Sequence, residues 1–123
     1  MPALIQMSRK HPWRAAHPGA VIVDRRTRWG NPWRIIRDGS FMGDPLYRVI
    51  NPEGVAIFSG GELDRQHAAV VAVEHYRNAI DRGWGIVPWP GEIQEALRGK
   101  DLACWCDLGS PCHADVLLAL ANA

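Results

Sequence analysis

Three cysteines and a histidine lie within ten residues near the carboxyl end of the chain. They are Cys104, Cys106, Cys112 and His113, and the chain has no other cysteine. Residues 101–106 predict a short strand, so Cys104 and Cys106 are expected on one face and Trp105 on the other. A helix is predicted directly afterwards, so the fold has to bring a strand end and a helix start together at one sulfur-rich place.

The predicted helix covers residues 112–121. Ser110 and Pro111 are typical of the N-cap and the first helical position. Cys112 would then lie in the first turn, where free backbone N–H groups and the helix dipole favour a thiolate. We therefore expect the pKa of Cys112 to lie below that of a free cysteine.

Three interpretations of this segment stay open. Cys104, Cys106, Cys112 and His113 could form a zinc site, although one residue between two cysteines is closer than the usual spacing. Alternatively, Cys112 could be a catalytic nucleophile with His113 as its base. In the third interpretation the cysteines are simply buried, as small apolar side chains.

Composition restricts the class of protein. A chain of 123 residues with 47% hydrophobic and 22% charged residues is typical of one soluble globular domain. It contains no apolar run of membrane-spanning length and no apolar segment typical of a signal peptide. Crowded cysteines of odd number suit a reducing compartment, so we expect a cytoplasmic protein without a membrane partner.

Positive charge is concentrated in the first half of the chain. Residues 1–48 carry nine basic and three acidic side chains, a net charge of +6, and the remaining residues carry a net charge of −5. This asymmetry indicates an anionic small molecule or nucleotide as partner, with a nucleic acid as the alternative. Pairing between the two halves would explain the same asymmetry without any partner.

A turn rich in arginine and tryptophan is the second candidate site. Residues 25–33 read as a strand end followed by a tight turn at Gly30. Arginine binds phosphate or carboxylate, tryptophan can stack on a base, and asparagine offers an amide for hydrogen bonds. The predicted ligand-binding residues are Arg25, Arg26, Arg28, Trp29, Asn31 and Trp33.

The order of predicted elements indicates an α/β fold, a small single-domain sheet with flanking helices for which a Rossmann-like arrangement is one form. Residues 20–24 predict a central buried strand, and residues 62–82 and 92–97 predict helices. Residues 47–50 and 55–58 predict a hairpin around 51–54. The domain would cover residues 1–123, with 1–19 as an N-terminal extension. Because ligands of such sheets bind at the carboxyl ends of strands, the two candidate sites could border one pocket.

The two motifs together resemble a known family. Arg26-Thr27-Arg28-Trp29-Gly30-Asn31-Pro32-Trp33, followed by Leu102-Ala103-Cys104-Trp105-Cys106 and Cys112-His113-Ala114-Asp115, is similar to the domain of unknown function 4326 family over about residues 21–121. That family is frequent in phages and bacteria. The resemblance implies that both motifs are working parts, but it implies no substrate.

The function expected from the sequence is that of an enzyme, a hydrolase or transferase acting on a nucleotide, nucleoside or other phosphorylated ligand. The arginines would hold the anion, and Cys112 and His113 would react or would bind a catalytic zinc ion. The alternative is a zinc-stabilised module that binds nucleic acid or protein without catalysis.

Overall fold

Strands and helices alternate along most of the chain. The structure is a computed structural model that describes residues 2–57, 64–106 and 108–123. The elements within these residues are β1 (Leu4–Gln6), α1 (Trp13–Ala16), β2 (Val21–Ile22), β3 (Arg34–Phe41), β4 (Asp44–Ile50), α2 (Arg65–Asp81), α3 (Pro90–Leu97), β5 (Leu102–Cys104) and α4 (His113–Ala121). The predicted α/β class is thereby confirmed.

The last strand of the chain is the middle strand of a parallel sheet. The strand order is β1-β5-β2, and all three residues of β5 are buried. Val21 pairs with Leu102, and the Val23 N–H continues the ladder by donating to the Ala103 oxygen at 2.9 Å. Because β2 and β5 are parallel neighbours, the residues that follow them emerge side by side at one edge of the sheet.

The strand predicted over residues 20–24 exists, but its predicted central position is wrong. β2 is an edge strand of two residues, although Val23 beside it is fully buried. A continuous apolar run reports burial and not strand order, and here the burial comes from helices that cover the sheet.

Helix α2 confirms most of the helix predicted over 62–82. Asp64 is its N-cap and accepts a hydrogen bond from the His67 N–H, and Gly83 follows its end with a φ of +72°. Its buried face consists of Ala68, Ala72, Tyr76, Ala79 and Ile80. Val70, an apolar residue of the same helix, is 36% exposed. The predicted start, Glu62 and Leu63, lies outside the described residues.

Helix α3 agrees with the predicted helix at 92–97 and begins two residues earlier, with Pro90 in its first turn. It packs against α4, and both helices bury apolar side chains such as Ile93, Leu97 and Leu117 in the common core. These contacts fix the start of α4 relative to the sheet, which matters for the site because Cys112 and His113 lie there.

The long antiparallel hairpin β3–β4 was not predicted. Its strands run through segments rich in glycine, aspartate and proline, and Met42 and Gly43 form the turn with positive φ. The predicted pairing of 47–50 with 55–58 is present in short form, as a bridge between Ile50 and Ala56. Two hydrogen bonds support it, from the Ile57 N–H to the Val49 oxygen and from the Asn51 N–H to the Val55 oxygen. Phe58 lies outside the described residues.

The N-terminal residues belong to the sheet. β1 pairs in parallel with β5, and the Met7 N–H donates to the Cys104 oxygen at 2.8 Å. Residues 1–19, expected as an extension, thus contribute a strand directly beside the sulfur-bearing strand. None of the helices in the described residues is long and apolar enough to cross a membrane.

Candidate functional site

One cavity of about 330 Å³ is lined by both segments that the sequence analysis singled out. It lies where the chain leaves β2 and β5, and helix α2 forms a further wall. Asp24 and Arg25 reach it from β2, and Cys104, Trp105 and Cys106 reach it from β5. The cavity therefore forms at the carboxyl ends of neighbouring parallel strands, where α/β proteins bind ligands.

The sulfur atoms of Cys104, Cys106 and Cys112 form a close group, called here the sulfur cluster. All three lie within 4.8 Å of one another, and the Sγ atoms of Cys104 and Cys106 are 3.6 Å apart. All three cysteines are free, and a disulfide would need a separation of about 2.05 Å. Three thiolates around one zinc ion have sulfur–sulfur distances of roughly 3.8 Å, so the group fits that ion.

Cys104 and Cys106 can bring their sulfur atoms together, although only one residue separates them, because the strand ends between them. β5 stops at Cys104 and the chain bends through Trp105 and Cys106. The two sulfurs meet as predicted, but Trp105 does not occupy the opposite face: its side chain lines the same cavity. A bend has placed three consecutive side chains around one space.

The three neighbouring thiols shift one another's pKa values. The pKa of Cys104 is lowered, because the thiols of Cys106 and Cys112 donate hydrogen bonds to its thiolate. The pKa values of Cys106 and Cys112 are raised, since the protons of these two thiols are held by Cys104. A divalent cation at the centre would favour the thiolate form of all three cysteines.

The prediction for Cys112 is thus wrong in its direction. Helix α4 starts at His113, with Cys112 as N-cap in extended conformation and no side-chain cap bond, and Ser110 caps nothing. Cys112 is 2% exposed, and the neighbouring sulfurs outweigh the helix dipole. A helix start was predicted two residues too early.

His113 is anchored beside the sulfur cluster. Its Nε2 lies 2.5 Å from the Val23 oxygen, and its Nδ1 lies 3.8 Å from the Cys112 Sγ. A carbonyl oxygen only accepts, so Nε2 carries a proton in this bond and Nδ1 faces the Cys112 sulfur. The edge of the ring packs against Tyr76 at 5.6 Å. His113 is outside the group of atoms that lie within 4.8 Å of one another.

Two arginines bring positive charge to the cavity. Arg25 follows β2, and Arg65 lies in the first turn of α2, where its guanidinium is 5.8 Å from the Tyr47 ring. Among the described residues, neither forms an ion pair with a carboxylate. Arg25 was predicted, whereas Arg65 was missed because it is forty residues away in the sequence.

Arg26 and Arg28, both predicted as ligand-binding, do not line the cavity. Arg26 is paired with Asp24 at 2.8 Å, and Arg28 is paired with Glu92 at 2.7 Å. The Arg28–Glu92 pair joins the basic first half to the acidic second half, so part of the charge asymmetry is satisfied within the fold. These two side chains stabilise the turn from outside.

The predicted aromatic and amide ligands are largely used by the fold itself. The Asn31 amide donates to the Ala72 oxygen at 3.0 Å, and its Oδ1 accepts from the Trp33 N–H at 2.9 Å. Trp33 touches the cavity but is 4% exposed and stacks on His75 and Trp84. Trp29 packs against the core away from the cavity. Asn31 also lines the cavity, although both ends of its amide are bonded to backbone groups of the fold.

Asp24 ties the two candidate segments together. It is 4% exposed, and its Oδ2 accepts hydrogen bonds from Arg26 and, at 3.2 Å, from the indole Nε1–H of Trp105. The pKa of Asp24 is lowered, above all by the side-chain hydrogen bond from Arg26. Its charge is thus compensated at the cavity wall, which leaves the arginines to set the sign of the field there.

These features describe a small α/β protein whose cavity joins a sulfur cluster to two arginines at the end of a parallel sheet. The chain belongs to the family described as Domain of unknown function (DUF4326), whose family model matches residues 5–123. The match includes Ile5 and Gln6 of β1, a part of the chain that the sequence resemblance had left out. Searches of curated proteins and of solved structures found no match.

Proposed function

We propose that this cavity is the active site of a small enzyme that acts on a nucleotide or another phosphorylated small molecule. The observation that carries the proposal is the common cavity: the sulfur cluster and two arginines from separate elements line one space. Side chains from β2, α2, β5 and the start of α4 converge there. Convergence of ionisable groups in a cavity is typical of ligand sites.

Arg25 and Arg65 are proposed to hold the anion. Both are exposed, both line the cavity, and neither is neutralised by a carboxylate of the described residues. Guanidinium groups bind phosphate through paired N–H donors. The one carboxylate of the described lining, Asp24, is occupied by Arg26 and Trp105, so it would not repel the ligand strongly.

Zn²⁺ is the proposed cofactor, bound by the thiolates of Cys104, Cys106 and Cys112. Three cysteines that line a cavity leave the fourth position of a tetrahedral ion for water or ligand, which is the pattern of a catalytic site. A zinc ion bound there would act as a Lewis acid and lower the pKa of water, chemistry that serves hydrolysis. His113 would support Cys112 from outside the group and hold the end of β2 in place.

A thiol mechanism at Cys112 is the second candidate. The 3.8 Å approach of the His113 Nδ1 to the Cys112 Sγ favours it, because that geometry pairs a nucleophile with a base. Deep burial and a raised pKa of Cys112 weigh against it. A metal measurement separates the two mechanisms.

The first experiment measures the zinc content of protein purified without an affinity tag in reducing buffer. We expect about one zinc per chain, loss of that zinc in Cys106→Ser, and retention in His113→Gln and in the distant control His75→Gln. Zinc-free wild-type protein that cannot be reloaded would overturn the metal proposal and favour the thiol mechanism.

The second experiment measures binding of inorganic phosphate and ribose 5-phosphate by calorimetry. Arg25→Gln and Arg65→Gln should each weaken binding at least about tenfold, the amount expected for a lost charged hydrogen bond. Arg77→Gln, on the same helix as Arg65 but outside the cavity lining, is the matched control. Equal effects of all three substitutions would reject the anion site, and tight salt-sensitive binding of oligonucleotides instead would favour the binding module.

A further inference from the structure

We infer that Trp105 is the stacking platform for a base, so that the ligand is a nucleoside monophosphate and not a phosphorylated sugar alone. The inference rests on the proposed anion site and narrows its ligand class. It assigns specificity to a side chain between two cysteines of the sulfur cluster, in place of the tryptophans of the turn.

The tryptophans of the turn are engaged elsewhere. Trp33 is buried between its stacking partners His75, at 5.8 Å, and Trp84, at 6.1 Å. Trp29 packs against the core and is not part of the cavity lining. Neither ring offers a face of the kind that a planar ligand needs.

Trp105, in contrast, is 44% exposed and lines the cavity. Its indole Nε1–H donates to the Asp24 Oδ2 at 3.2 Å, and this bond fixes the orientation of the ring before any ligand arrives. The Arg9 guanidinium lies over the ring at 5.9 Å and covers one face. An exposed aromatic ring held at the edge of a basic cavity is therefore preorganised to receive a base on its remaining face.

The size and lining of the cavity agree with this ligand class. About 330 Å³ is at the lower end of the range for small-molecule sites, a size that suits a mononucleotide. Arg25 and Arg65 supply the charge for one phosphate group, and Ile35 and Val73 provide apolar wall. Base stacking on an aromatic side chain is worth a factor of about 5 to 150 in affinity.

The test compares ribose 5-phosphate with the four ribonucleoside monophosphates on the zinc-loaded full chain. Wild-type protein should bind at least one monophosphate about tenfold or more tightly than the sugar phosphate. Trp105→Leu should remove this preference, while the protein still holds zinc and still binds the sugar phosphate in a manner that depends on Arg25 and Arg65. Trp105→Phe should keep part of the preference, because it keeps a ring but loses the bond to Asp24 that orients it. Trp89→Leu is the control at an exposed tryptophan outside the cavity.

Two results would overturn the inference. One is equal affinity of the wild type for ribose 5-phosphate and every monophosphate. The other is a Trp105→Leu variant that loses zinc or loses both classes of ligand alike, because Trp105 would then be structural. Failure of the proposed function looks different: in that case neither class of ligand binds in a manner that depends on Arg25 and Arg65.

Discussion

His113 and Val23 are joined by a hydrogen bond from the imidazole Nε2–H to the backbone oxygen at 2.5 Å. The bond links the first residue of α4 to the residue that follows β2, although ninety positions separate them in the sequence. It fixes the tautomer of His113 and holds the wall of the cavity at the sulfur cluster. Carbonyl-bonded imidazoles of this kind are typical of residues around metal sites.

The length of the side chain at position 113 should therefore decide stability. A glutamine amide reaches about as far as Nε2 and can still donate to the Val23 oxygen, whereas an asparagine amide reaches only as far as Nδ1. We expect His113→Asn to lower the free energy of unfolding by about 1–3 kcal/mol more than His113→Gln, the cost of a buried carbonyl left unpaired. Urea unfolding at equal zinc content measures this difference, and equal losses would contradict the role of the bond.

Gly30 should tolerate no side chain. A Cβ there would lie 2.6 Å from the Arg25 Cα and 2.7 Å from the Asp24 oxygen, both backbone atoms that cannot move aside cheaply. We expect Gly30→Ala to cost about 1–3 kcal/mol of unfolding free energy and to weaken anion binding, because Arg25 would be displaced. Gly19→Ala is the control, since no atom lies within 4 Å of its Cβ. Similar thermal stability of the two variants would contradict the prediction.

Asp24 should make stability depend on pH in the acidic range. Its pKa is lowered in the folded protein, mainly by the Arg26 hydrogen bond, so the carboxylate stabilises the fold above the unfolded pKa of about 3.9. This contribution is lost as the pH falls through the lower, folded pKa. We expect Asp24→Asn to be less stable than wild type at pH 7, and the difference to shrink between about pH 4 and pH 2. A difference that stays constant over this range would show that Asp24 acts through packing alone.

Asn31 should be a stability residue and not a ligand-binding residue. Its amide connects the Ala72 oxygen of α2 with the Trp33 N–H, and the side chain is buried. We expect Asn31→Ala to cost about 2–4 kcal/mol of unfolding free energy, because it leaves two backbone groups unpaired. Asn78→Ala, on the exposed side of α2, should cost nothing measurable. A stable Asn31→Ala variant with weakened ligand binding would restore the sequence-based interpretation.

The sequence predicted the helices and strands better than it predicted which strands pair with one another. Local signals are sufficient for α2 and α3: Asp64 and Pro90 mark starts, and Gly83 and Gly99 follow the ends with positive φ. Strand order depends on contacts between distant segments, so nothing local distinguishes an edge strand such as β2 from a central one. The β3–β4 hairpin was missed because its turn residues, Met42 and Gly43, carry no typical turn signature.

In the candidate site, too, local sequence signals were sufficient for some residues, whereas others depend on contacts between distant segments. The sulfur cluster and Arg25 were found because their residue types are chemically distinctive. Arg65 was missed, since only the packing of α2 brings it to the cavity. For Asn31 and Trp33 ligand binding stays a prediction: both line the cavity, but their side chains also contact α2. The sequence of a turn does not distinguish these two uses of a polar or aromatic side chain.

The position of β5 in the sheet has a consequence for synthesis. β1 and β2 do not pair with each other; each pairs only with a strand that begins at residue 102. A nascent chain can form α2 and the β3–β4 hairpin from local contacts, but its parallel sheet has to wait until the segment from residue 102 onwards has been made. The same late residues carry the sulfur cluster, so truncated products would lack sheet, cavity and cluster together. The parallel sheet and the sulfur cluster therefore form in the same folding step, and a chain that lacks the first also lacks the second.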